Sequence, residues 1–231
     1  MRLRLVAPAL IAVLALSLTG CANNASSEPL PKATGSVSVD SAAAALLPTA
    51  VAASGVLSIA SDASYAPNEF KDADGKAIGW EIDLVNAIAA KLGLSTEVNQ
   101  ASFDNIIPSV VGGKFDVGIS SFTDTVEREK QVDFVNYFAA GNLWATAAGT
   151  TVDPDNACGL TVAAMTGGTQ LTEELPDRSA KCVSEGKPAI EILQFDDNSA
   201  ATNAAVLGKA DAVSADSPVT LYAIEQSKGK L

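Results

Sequence analysis

From Gly55 onward the chain repeats one rhythm, a short apolar strand followed by a helix with one apolar face and then another short strand. Val56-Leu57-Ser58-Ile59-Ala60 is an apolar run of strand length. Ile82 to Leu92 then places Leu84, Val85, Ile88, Ala89 and Leu92 on one helical face, with Gly93 as the stop. Thr96-Glu97-Val98 predicts the next strand, Asn105 to Val111 a helix grouping Ile106, Ile107, Val110 and Val111, and Phe115 to Ser120 a third strand. This order constrains the fold strongly, because strands joined through helices run parallel and need those helices to cover the sheet. The rhythm then recurs: Leu160 to Met165, Ile190 to Phe195 and Ala210 to Ala215 read as strands, and Thr169 to Leu175 and Ser199 to Leu207 as helices. Gly113-Lys114-Phe115-Asp116-Val117 has a counterpart in Gly208-Lys209-Ala210-Asp211-Ala212. The expected fold class is α/β, with two similar lobes, each a mostly parallel sheet with flanking helices. Coincidence is the competing account of the echo, since a helix-ending Gly before a strand is common.

The 231 residues include 15 Lys and Arg, 27 Asp and Glu, and no His. Without imidazole there is no Ser-His-Asp or Cys-His catalysis and no His-ligated metal, and three cysteines cannot complete a four-ligand zinc site. No metal and no cofactor are therefore expected. A formal charge of −12 argues against nucleic acid, whose phosphates demand clustered cations.

Arg2 and Arg4 precede the apolar run Leu5 to Leu16, which is too short to span a bilayer and has the layout of a secretory signal. Leu18-Thr19-Gly20-Cys21 resembles the lipobox of bacterial lipoproteins, which implies a diacylglycerol on Cys21 and a membrane anchor on the extracytoplasmic face of the cell membrane, an ordinary signal peptide with an incidental Cys being the alternative. The expected organisation is a signal peptide at 1–20, a lipidated Cys and flexible tether at 21–53, lobe 1 at 54–140 and lobe 2 at 141–231. Within the tether, the Ala-rich stretch Ser41 to Ala53 has room for a turn or two of helix around Pro48. In an exported protein Cys158 and Cys182 read as a disulfide, with a reactive or metal-binding pair as the alternative.

Four segments, in this order and spacing, carry a resemblance: Asp62-Ala63-Ser64-Tyr65-Ala66-Pro67; Trp80-Glu81-Ile82-Asp83-Leu84 after Gly75 to Gly79; Phe103-Asp104-Asn105-Ile106-Ile107-Pro108; and Ser120-Ser121-Phe122-Thr123-Asp124-Thr125-Val126-Glu127-Arg128. Together they resemble the polar amino-acid-binding proteins of ABC importers, solute-binding protein family 3, from about Gly55 to the end. The resemblance implies a two-lobed periplasmic-binding-protein-like fold of type II that closes over a free amino acid, works as a monomer without catalysis and delivers its ligand to ABC permease subunits.

The resemblance also implies roles. Arg128 would grip the ligand carboxylate, for which a guanidinium supplies two parallel charge-assisted bonds; taken alone it could equally be solvated in the run Glu127 to Lys130. Thr123 and the backbone of Ser121 would meet the ammonium, and Asp216 of the second lobe would pair with it, unless Asp216 serves only to cap the helix that begins near Ser217-Pro218. Gly168 and Thr169, in Gly167-Gly168-Thr169-Gln170, would complete the carboxylate site at a helix start, a plain turn being the alternative. Tyr65 and Phe103 would sandwich the ligand side chain, or simply pack in the core. Asp62 would touch the side-chain end and so favour a basic amino acid or glutamine over an acidic one.

Family members continue beyond the helix at Pro218 to Gln226, whereas this sequence stops at Leu231. The expectation is therefore a chain lacking its return to lobe 1, poorly stable and weakly binding. Other functions on this scaffold are a dehydratase-like enzyme, for which Glu173 is the available acid, and an extracellular amino-acid sensor.

Overall fold

The computed structural model describes residues 37–231, so the segment read as a signal peptide and Cys21 lie outside the described residues. In chain order the elements are α1 (Ser41–Ala44), α2 (Thr49–Ser54), β1 (Val56–Ser61), β2 (Ser64–Tyr65), β3 (Glu69–Lys71), β4 (Ala77–Ile78), α3 (Trp80–Lys91), β5 (Ser95–Gln100), α4 (Phe103–Val111), β6 (Val117–Gly118) and α5 (Val126–Glu129). They continue with β7 (Asn142–Ala145), β8 (Thr161–Met165), α6 (Leu175–Ser184), β9 (Glu191–Phe195), α7 (Asn198–Val206), β10 (Ala212–Asp216) and α8 (Ser217–Gln226). A single π-helical segment, Gln170–Glu174, runs directly into α6.

Two sheets form the layers. The first has the order β5-β1-β6 with every pairing parallel. The second has the order β7-β10-β8-β9, parallel except where β7 runs antiparallel to β10. A small antiparallel sheet, β2-β3-β4, sits between β1 and α3 in sequence. Leu57, Ile59, Val85, Ala89 and Ile119 form the core on one side of the first sheet, and Ala60, Ile106 and Phe115 the core on the other. In the second sheet the alternating residues of β8 divide between two clusters: Ala163 packs against α7, while Val162 and Ala164 pack with Leu175 and Cys182 of α6. Burial of both faces is what a parallel sheet with helical crossovers requires.

The echoed pentapeptides occupy matching places. Gly113 and Gly208 end their helices with φ of +69° and +66°. Asp116 Oδ2 then accepts from the Ser58 N–H at 2.8 Å, and Asp211 Oδ2 from the Thr161 N–H at 2.8 Å. In each lobe an aspartate thus clamps the strand beside it, so the sequence echo is a repeated structural device.

Several expectations change. The strand read over Phe115 to Ser120 reduces to Val117–Gly118, because only those residues pair with β1. The helix read over Thr169 to Leu175 starts as the π segment and extends to Ser184. Part of the span read as tether is folded. Asp40 caps α1 by accepting from the N–H groups of Ala42 and Ala43, its own N–H donates to the Lys91 carbonyl at 2.8 Å, and Leu47 and Val51 pack on the first core. Apolar Leu47 and Val51 gain more by covering that core than by remaining in water. Cys158 and Cys182 are joined in a disulfide, with Cα atoms 5.5 Å apart.

Candidate functional site

The carboxyl ends of β1, β8 and β10 bring residues of both lobes together, the position where open α/β sheets place ligands. A cavity of about 10 Å³ between them is lined by Tyr65, Phe103, Ser121, Thr123 and Arg128 on one side and by Gly168, Thr169 and Asp216 on the other. Eight of the nine residues singled out for ligand contact thus meet in one place. Asp62 does not line it.

Arg128 lies on α5, whose start is capped by Thr125 Oγ1 accepting from the Arg128 N–H. Its guanidinium donates to the Thr123 carbonyl at 2.6 Å and, across the boundary, to the Gly167 carbonyl at 2.9 Å. It also rests near the Phe103 and Phe122 rings, at 5.4 Å and 5.1 Å from their centroids. Burial lowers its pKa from the ordinary arginine value, with Glu173 and Asp216 acting in the opposite sense.

Asp216 ends β10 at the N-cap position of α8, but its side chain makes no capping bond. Oδ1 instead accepts from Gln170 Nε2 at 2.8 Å, and the same amide donates to Asn142 Oδ1. Burial raises the Asp216 pKa from the usual carboxylate value, while its bonds to Gln170 and Tyr65 oppose that rise. Tyr65 accepts the Asp216 backbone N–H at 2.9 Å, and Thr123 Oγ1 and Thr169 Oγ1 stand 3.4 Å apart.

Tyr65 and Phe103 line the small cavity and also pack as core. Tyr65 and Phe103 cluster with Met165, Ala215 and Val219 from the second lobe. Phe103 stacks on Phe122, with centroids 4.2 Å apart and planes 19° apart. Asp62 is occupied elsewhere: Oδ2 accepts the Phe103 N–H that opens α4, and its own N–H donates to Ser120 Oγ. A helix start needs such an acceptor, and the carboxylate supplies it.

Sequence reasoning passed over Phe122, Met165 and Gln170. Phe122 and Gln170 stand inside quoted motifs, next to the residues that were chosen, and Met165 ends β8 where the cleft opens. It also passed over Glu69, which carries no signal beyond being an acid, and Glu81, which stands inside the quoted Trp80–Leu84 segment. Ser121 takes φ of +51°, and its N–H and hydroxyl are both bonded to Glu81.

A second cavity of about 1,100 Å³ runs from Ser121 and Thr123 past Val132 to Ala140 and reaches the second lobe at Thr169, Glu173 and Asp216. Among the described residues no group of three or more His, Cys, Asp or Glu is placed to hold a metal ion, and no helix is long and apolar enough to cross a membrane.

Two parallel-stranded lobes meeting at a polar cleft define a type II periplasmic-binding-protein fold. A solved ancestral arginine-binding protein bound to arginine has this architecture, matching with a TM-score of 0.69 and 34% identity over 76% of each chain. The family model described as bacterial extracellular solute-binding proteins, family 3, matches residues 57–226, and the chain belongs to that family. The arginine-binding protein ArgT of Corynebacterium glutamicum is 44% identical over 189 residues, which are 81% of this chain and 62% of that protein. This chain therefore spans less than two thirds of that relative's length. The ancestral amino acid-binding protein AncCDT-1, described as a precursor of cyclohexadienyl dehydratase, is 33% identical over 77% of each chain, with a TM-score of 0.66.

Proposed function

We propose that this protein captures a cationic amino acid, arginine foremost, between its two lobes as the solute-binding component of an ABC importer. One observation carries the reading: Arg128 and Asp216, the charges that a zwitterion needs, come from different lobes and line one cavity with Thr123 and Thr169. In this reading Arg128 takes the carboxylate, helped by Gly168 and Thr169, and Asp216 takes the ammonium with Thr123 and the Ser121 backbone. The name of the ArgT relative supports arginine, as does the absence of any cation other than Arg128 from the lining of the small cavity.

A cavity of about 10 Å³ admits no amino acid, so entry requires the lobes to part. Parting breaks the bonds from Arg128 to Gly167 and from Asp216 to Tyr65, and closure over the ligand reforms contacts to both lobes at once. The aromatic pair Phe103 and Phe122 lies under the guanidinium of Arg128, which leaves Tyr65 and Phe103 as walls rather than as a sandwich. The protein binds without chemistry, is held at the extracytoplasmic membrane face through Cys21, and hands its ligand to the permease.

Calorimetry with arginine, lysine, glutamine and glutamate tests this. Arginine should bind most tightly and glutamate not at all; equal affinity for glutamate would sink the cationic assignment, and no heat with any amino acid would sink the function. A product assay with prephenate or arogenate should give no turnover.

A further inference from the structure

Glu69 and Glu81 are buried side by side beneath the cleft, at 0% and 1% exposure. None of the ion pairs among the described residues involves either. Glu81 accepts three bonds: Oε2 from the Ser121 N–H at 3.0 Å, and Oε1 from Ser121 Oγ and from Tyr137 Oη, both at 2.7 Å. Glu69 accepts from Ser120 Oγ at 2.9 Å, and its Oε2 lies 3.4 Å from the same Ser121 hydroxyl that donates to Glu81, so the two carboxyls flank one oxygen. Two adjacent carboxylates out of water do not both ionise freely, and Glu69, with fewer donors than the three that Glu81 accepts, is the better place for a proton.

We infer that Glu69 and Glu81 hold one proton between them, carried by Glu69, and that this pair positions the Ser120–Thr123 segment for ligand binding. Ser121 connects the two. Its φ of +51° is sparsely populated for a residue with a side chain and persists only where the surroundings fix it. Glu81 fixes it through both the N–H and the hydroxyl, and Asn68 Nδ2 donates to the same hydroxyl at 2.8 Å. Two residues on, Thr123 gives its carbonyl to Arg128.

Burial first, and then the charge of Glu81, push Glu69 well above the usual carboxylate range. The other titratable groups facing the pair are Tyr137, whose own pKa is raised, Tyr65, and Asp216 across the boundary. Rising pH removes the shared proton, the two charges repel, and the hold on Ser121 loosens.

The inference rests on the proposed amino-acid binding, so its test begins without ligand. Infrared spectra of the full chain with carboxyl-labelled glutamate should show a protonated carboxyl at neutral pH that disappears in Glu69→Gln and persists in Glu81→Gln. The Ser121 amide resonance should move on alkaline titration of the wild type and stay fixed in Glu69→Gln. A folded wild type without the protonated band, or an amide that ignores pH, overturns the inference whether or not the variants fold. Arginine calorimetry then reads the consequence: affinity should fall on the alkaline side in the wild type, and in Glu81→Gln it should drop about tenfold or more at every pH. An unaltered affinity in a folded Glu81→Gln also overturns positioning. If arginine fails to bind while the band and the amide titration are present, the shared proton stands and the binding proposal falls.

Discussion

The Asp216 backbone N–H donates to Tyr65 Oη at 2.9 Å across 151 positions of sequence, tying the end of β10 in one lobe to β2 in the other. The bond exists only when the lobes meet, so Tyr65→Phe should weaken closure and leave the fold of each lobe intact. An unpaired buried N–H costs roughly 1–3 kcal/mol. Calorimetry should show arginine affinity reduced about fivefold or more with an unchanged melting temperature for the free protein. A full-strength Tyr65→Phe would mean that this bond adds nothing to closure.

Arg128→Ala removes both guanidinium bonds, the one to Thr123 within the lobe and the one to Gly167 across the boundary, together with the proposed partner of the ligand carboxylate. Truncating one member of a buried charge pair costs about 2–5 kcal/mol, so affinity should fall at least thirtyfold. Arg128→Lys should recover only a fraction, since an ammonium cannot donate two parallel bonds. Wild-type affinity in either variant would remove Arg128 from the site.

The raised pKa of Asp216 sets a pH dependence. In the free protein, folding favours the protonated form, so this group's contribution to stability is full below the ordinary aspartate value and is lost as pH rises through its raised value. A ligand ammonium reverses that preference by stabilising the carboxylate. The melting-temperature increase produced by arginine should therefore shrink as pH falls through the raised Asp216 value, and Asp216→Asn should flatten the trend. A thermal-shift series against pH measures it.

Reducing the Cys158–Cys182 bridge reopens a loop with a separation of 24 residues. The chain-entropy relation gives roughly 3 kcal/mol for such a loop, which corresponds to a melting temperature lower by about 6–12 °C in a chain of this size. Melts with and without reductant check this. Arginine affinity well below the melting range should be unaffected, because neither cysteine lines the cleft.

Periodicity exposed the elements that are long and one-sided. Residues of β1, α3, β5, α4, β8 and α7 announce themselves by apolar spacing, and the glycines at 113 and 208 mark helix ends. Strands β2 to β4, of two or three residues each, are too short to show a period. The antiparallel β7 is defined by its pairing with β10, residues far away in sequence. The part of α6 beyond Leu175 was hidden because Pro176 reads as a breaker, whereas at the first turn of a helix its missing N–H costs nothing.

Residue types that chemistry demands, such as Arg128 and Asp216, could be picked out in the sequence, and both line the small cavity. The site was illegible where an ordinary type is given unusual surroundings. Asp62 was read as facing a ligand and instead satisfies the Phe103 N–H. Glu69 and Glu81 look like surface acids in a string of letters and are among the most deeply buried side chains described.

The guanidinium of Arg128 is already satisfied by two carbonyl oxygens, one from Thr123 and one from Gly167. A solute therefore gains only the difference between what it offers and what the protein offers itself. A carboxylate exceeds a carbonyl, since charge-assisted bonds are about twice as strong as neutral ones. An amide or ester of the same amino acid does not. In the proposed binding role the resting contact sets a threshold, one that screens out amino-acid derivatives lacking a free acid before shape or size enters the selection.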